Sequence, residues 1–143
     1  MHNLSAGVKM TMVKAFTSAS ATGNVTSDIL DMAGYSGVLF VMSANTANSS
    51  IGAKIQAGTA TGSMNDIANS SVACLATGGN IWIDYYNPPN NYRYVRTVLM
   101  REAATKAGNI WAFQYGARDL PVDNTIADTI TGELIVGASS GTI

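Results

Sequence analysis

An all-β fold, a single antiparallel β-sandwich with jelly-roll-like connectivity, is what the sequence predicts, and three observations predict it. Apolar residues recur with period two in the clearest segments, the pattern of a strand with one face buried. Those segments are punctuated by Gly, Asn, Ser and Pro, at the spacing of sandwiches and barrels. Helical rivals are short: MNDIANSS (64–71) has room for one turn, and REAATKAG (101–108), which ends in Gly108, is too brief to stand as a helix.

Taken in order, VKMTMVKAF (8–16) sets Val8, Met10 and Met12 against Lys9, Thr11 and Val13, and VTSDILDM (25–32) follows as a second strand. GVLFVMS (37–43) is a continuous apolar run with Gly34 and Gly37 before it and ANTANSS after it, so it reads as a central strand covered on both faces. IGAKIQAGT (51–59) alternates Ile51, Ala53, Ile55 and Ala57 with Gly52, Lys54, Gln56 and Gly58. VACLA (72–76), IWIDYY (81–86), YRYVRTVLM (92–100), NIWAFQYGA (109–117) and GELIVGA (132–138) complete the set. Residues 101–108 read as a long connection containing at most a helical turn. The 143 residues make one domain, with an N-terminal arm over about 1–7 and a C-terminal tail over about 138–143.

IWIDYYNPPNNYRYVRTVL (81–99) gathers aromatics and arginines around Pro88 and Pro89, as a ligand platform or a hairpin would. A hairpin with NPPN as its loop puts Tyr85 opposite Tyr92 and Asp84 opposite Arg93. Each such pair contributes about 0.2–1 kcal/mol over alanines, a sufficient structural use for these side chains.

Composition narrows function. Charged residues are 12% of the chain, about half the usual 25% or so, while hydrophobic residues are an ordinary 47%. The exterior is therefore neutral and polar, and with a net charge of −1 there is little repulsion between copies, which suits permanent assembly. Eight basic against nine acidic residues give no cationic excess for binding nucleic acid. The start lacks a secretory pattern and no run is long enough to span a bilayer, so the expectation is a soluble chain made in a reducing compartment. The lone Cys74 reads as a buried apolar residue.

Chemistry is sparse. The single histidine is His2, near a chain end, and no nucleophile elbow, HExxH pair, phosphate loop or metal-spaced Cys/His cluster is present. Asp28 and Asp31, three apart on a strand, point to opposite faces and do not share a metal. The expectation is a protein that is not an enzyme and takes neither cofactor nor metal. In QYGARDLPV (114–122), Arg118 and Asp119 form a charged turn that Leu120 and Val122 would anchor to the core, a loop suited to docking.

TSDILDMAGYSGVLFVM (26–42), YRYVRTVL (92–99) and QYGARDLPV (114–122), in that order, resemble the capsid decoration, or cement, proteins of tailed bacteriophages. The resemblance implies a β-sandwich that assembles as a homotrimer on the outer capsid surface of the virion, after synthesis in the bacterial host cytoplasm. It implies the major capsid protein as partner, with no direct contact to nucleic acid or membrane. Candidate capsid or subunit contacts are Asn3, Leu4 and Val8 on the arm, Tyr85, Tyr86, Pro88, Pro89 and Tyr92 around the double proline, Arg118, Asp119 and Leu120 in the charged turn, and the tail. Two other readings stand beside it. One is a carbohydrate-binding adhesion module, which requires Trp82, Trp111 or Tyr85 exposed on one flat face; the other is a tail or head-completion component confined to one vertex.

Overall fold

A computed structural model describes residues 3–46, 48–75, 79–89, 91–120, 122 and 124. Their architecture is all-β, with antiparallel sheets stacked as a sandwich. The segment 132–138 and the tail lie outside the described residues. A single helical turn, α1 (Leu4–Gly7), leads into β1 (Lys9–Lys14). The first sheet has the order β1, β12 (Ile110–Tyr115), β5 (Gly37–Ser43), β9 (Asn80–Tyr86). The second is built on the long pair β6 (Asn48–Gly58) and β10 (Tyr94–Arg101). The short β3 (Val25–Thr26) and β4 (Leu30–Asp31) flank β10, and β7 (Asn65–Asp66) and β8 (Val72–Cys74) flank β6. A small third sheet joins β2 (Thr17–Ala21) to β11 (Thr105–Ala107). These pairings establish an antiparallel sandwich; the jelly-roll connectivity is a finer statement than they make.

The two large sheets meet through their apolar faces. Val38, Phe40 and Met42 of β5 and Ile110 of β12 pack with Ile51 and Ile55 of β6 and Val95 and Leu99 of β10, all 1% exposed or less. The alternation read at 51–59 is what puts Ile51, Ala53, Ile55 and Ala57 inside, while Lys54 and Gln56 turn out. In the register, Thr11, Ala112, Phe40 and Ile83 form one transverse row, and the small Ala112 leaves room for the Phe40 ring. Cys74 is buried, as expected. Arg101, also buried, donates from Nε to the Gly23 carbonyl at 2.8 Å and from Nη1 to the Thr105 carbonyl at 3.1 Å, tying the turn before β3 to β11. A buried cation survives there because its donors are matched to backbone acceptors.

Three expectations need correction. The hairpin across Pro88 and Pro89 does not form: β9 pairs with β5 in the first sheet and β10 with β6 in the second, so the loop carries the chain across the sandwich. Asp84 lies opposite Leu39 and accepts from the Tyr115 hydroxyl at 2.6 Å, whereas Arg93 forms a bidentate pair with Asp31 at 2.8 and 2.5 Å. The cross-strand rule was satisfied by the wrong neighbours, because both charges have better-oriented partners elsewhere in the chain. Tyr85 and Tyr92 still approach one another, not as a ladder pair but as rings packed against the same core.

The segment 25–32 is two short strands rather than one. Ser27 lies between them, its backbone N–H donating to the Thr97 carbonyl at 3.0 Å and its hydroxyl oxygen accepting from the Thr97 N–H at 3.1 Å. The connection 101–108 holds strand β11 where at most a helical turn was expected: Ala107 is fully buried, and the Asn45 side chain accepts from the Lys106 N–H at 2.7 Å. Strand β2 and the two-residue β7 were not legible as strands, being short and rich in Ser, Ala and Asn.

Candidate functional site

The strand period fixes what the outer face of the first sheet carries. Because Ile110, Ala112 and Gln114 of β12 turn inward, Trp111, Phe113 and Tyr115 turn outward. The cross-strand register aligns them in rows: Met12, Trp111, Val41 and Trp82 in one, Met10, Phe113, Leu39 and Asp84 in the next, then Tyr115, Gly37 and Tyr86. Trp82 is 65% exposed and Tyr86 67%, while Met10, Met12, Leu39, Val41, Trp111 and Phe113 are half-buried. Asp84 is the one ionisable carboxylate within these rows, and the rest is a broad apolar and aromatic surface. The outer face of the second sheet contrasts with it: Lys54 and Gln56 both bond Asp66 at 2.7 Å, and Arg96 Nε bonds Gln56 at 2.8 Å.

At the rim the aromatic rings are ordered. Tyr86 and Tyr115 stack with centroids 6.3 Å apart and planes 2° from parallel. Gly37 permits this, since a Cβ there would run into the Tyr115 ring. Burial, the hydrogen bond to Asp84 and the carboxylate's charge together push the Tyr115 phenol well above its usual range. A raised phenol pKa favours the neutral folded form. The stability it contributes is complete below the unfolded value of 10.0 and is lost as pH rises through the folded value. Chemical denaturation between pH 9 and 12 should therefore show a fall in stability above about pH 10 that Tyr115→Phe reduces; an identical alkaline profile for the variant would discount the Tyr115–Asp84 bond.

The residues picked from sequence do not converge on one place. Pro88, Pro89, Tyr92 and Arg118 do meet, around a polar hollow of about 310 Å³ that also involves Tyr35 and Arg93. Asn87 adopts φ 50° there to start the crossing loop, and the Arg118 N–H donates to the Gly34 carbonyl at 2.9 Å. Tyr86 belongs to the outer apolar face; Tyr85, one residue earlier, faces the other way, where burial raises its phenol pKa. Leu4 is 79% exposed on α1, Asn3 supplies the carbonyl that accepts from the Ala6 and Gly7 N–H groups, and the Val8 carbonyl accepts from the Asn124 side chain. Asp119 is exposed, Leu120 is 46% exposed rather than anchored to the core, and the Val122 backbone N–H donates to the Ala6 carbonyl at 2.7 Å, tying this segment to α1.

A second feature lies on the open side of the sandwich. Between edge strand β9 and strand β8 runs an apolar groove of about 770 Å³, with Ile55, Ile67, Val72, Ile81, Trp82 and Ile83 in its walls. Val72 and Leu75 stand at its mouth, 41% and 79% exposed. Reading these segments singly missed both features. The available signal was that IWAFQY places its large rings at the positions opposite Ile, Ala and Gln, so both faces of that strand are apolar.

Among the described residues no three His, Cys, Asp or Glu side chains cluster as a metal site, and no helix is long and apolar enough to cross a membrane. No protein-family model, curated protein or solved structure matches the chain.

Proposed function

We propose that the protein is a virion structural component, a decoration protein that binds the outer capsid surface of a tailed phage. It would stabilise contacts between neighbouring major capsid proteins. The observation that carries this is the outer face of the first sheet: rows of Met, Leu, Val, Trp, Phe and Tyr, with Trp82 and Tyr86 exposed and the others half-buried, on a chain with few charges. Contiguous apolar faces of that kind are uncommon on solitary soluble proteins and mark contact surfaces. The segment resemblance at 26–42, 92–99 and 114–122 supplies the kind of assembly. Stabilisation follows from linkage, because a protein that binds the assembled lattice and not its dissociated subunits shifts the equilibrium toward the lattice. As a homotrimer it would engage several capsid subunits at once and gain from effective concentration. The test is cryo-electron microscopy of purified phage heads with the protein quantified by mass spectrometry. Regular surface density that accepts the sandwich supports the reading, and absence from purified heads refutes it.

One observation favours a second reading. Trp82 and Trp111 share the outer face, separated by Val41, as a glycan-binding module would need, although Tyr85 lies on the opposite face. Pyranose rings stack on such side chains through their C–H faces. Saturable glycan-array binding by the isolated protein, with no binding to heads, would favour this alternative.

A further inference from the structure

The two edges of the first sheet are treated differently. Along β1 the outward edge is occupied: Asn124 accepts from the Met10 N–H at 2.8 Å and donates to the Ser5 and Val8 carbonyls, each at 2.8 Å. The other edge, β9, is seven residues long, pairs with β5 without a register shift, and contains no proline, lysine or bulge. Those are the devices that usually blunt an edge. The direction of its backbone follows from the bonds at its two ends. Ala44 N–H donates to the Gly79 carbonyl at 3.2 Å and Asn87 N–H to the Ser36 carbonyl at 2.8 Å, so the odd-numbered residues of β9 bond to β5. The N–H and C=O groups of Trp82, Asp84 and Tyr86 therefore point away from the sheet, and among the described residues no strand pairs with them.

Directly beneath that edge lies the apolar groove. We propose that the β9 edge accepts a strand: an extended, uncharged segment of another protein, with aliphatic side chains at alternate positions, which bonds to Trp82, Asp84 and Tyr86 and sends every second side chain into the groove. Three features select this occupant. Ladder groups recurring at about 6.8 Å match an extended polypeptide backbone. The groove walls are apolar, so a charged side chain directed into them would be desolvated without a partner. A second copy pairing through its own β9 would leave the groove empty, because its Ile81 and Ile83 are committed to its own core. The site does not depend on which assembly the protein belongs to.

The probe is an N-acetylated, C-amidated heptapeptide alternating Thr and Val, with a control in which each Thr is replaced by Pro, so that a peptide pairing antiparallel keeps its groove-filling Val side chains and loses its ladder donors. Amide hydrogen exchange is read on the full-length protein. Binding with a Kd below about 1 mM is expected to slow exchange at Trp82, Asp84 and Tyr86. Val72→Lys, at a position already 41% exposed, is expected to weaken binding at least about tenfold while leaving the circular dichroism spectrum unchanged. The proposal is overturned by no protection of those amides at about 5 mM peptide, by equal binding of the proline control, or by the same protection appearing with rising protein concentration alone, which would make a second copy the occupant.

Discussion

Replacing Phe40 with Ala is expected to cost about 3–5 kcal/mol of folding stability, whereas Leu39→Ala, one residue away, is expected to cost less than about 1.5 kcal/mol. Phe40 is fully buried between the sheets, in a row with Ala112 and Ile83, and its removal leaves a cavity whose lining is held by strands on both sides. Leu39 is on the outer face, half-buried between Phe113 and Asp84, where solvent can take up the space. Urea denaturation separates the two, since a loss of 3–5 kcal/mol moves the midpoint by about 2 M for a typical slope. Equal losses at the two positions would mean that β5 is covered on both faces, as its continuous apolar sequence suggests.

On the proposed function, a charge placed in the middle of the outer face should abolish assembly and spare the fold. Val41 lies between Trp111 and Trp82 in the register. Val41→Lys should lower occupancy on phage heads at least about a hundredfold, because a cation buried unpaired at the centre of an interface costs several kcal/mol. Met100→Lys, half-buried opposite Gly52 in the second sheet, should leave occupancy unchanged. The comparison is made by co-sedimentation of each variant with heads stripped of the native protein. Retained occupancy for Val41→Lys would remove this face from the interface.

Much of the sandwich was legible because strand period is a local property. The alternation at 51–59 identifies both the strand and its inward face, and the bounded apolar run at 37–43 identifies a strand central to its sheet, though Leu39 and Val41 leave its outer side only half-buried where coverage on both faces was expected. Pairing is not local. Asp84 and Arg93 stand at hairpin spacing and still bond Tyr115 and Asp31, residues 31 and 62 positions away. The double proline could equally turn a hairpin or carry the chain across the sandwich, and what distinguishes the two is the partner strands, β5 and β6, neither of which adjoins that loop in sequence. The candidate site was less legible still. Trp82 and Trp111 stand out as aromatics in the sequence, but that they share a face with Val41, Phe113, Met10 and Met12 depends on the register of four strands. The β9 edge, which no strand pairs among the described residues, likewise depends on β10 leaving for the other sheet.

Hydroxyl-radical footprinting of Met10, Met12, Trp82 and Trp111, in free protein and in protein bound to purified heads, reads the outer face directly. These side chains oxidise readily and sample three of its four strands. Severalfold slower oxidation of all four on binding, with Met100 unchanged as an internal reference, is the expected result. Undiminished oxidation of the four in head-bound protein would contradict the proposal that this apolar sheet face is the surface the shell covers.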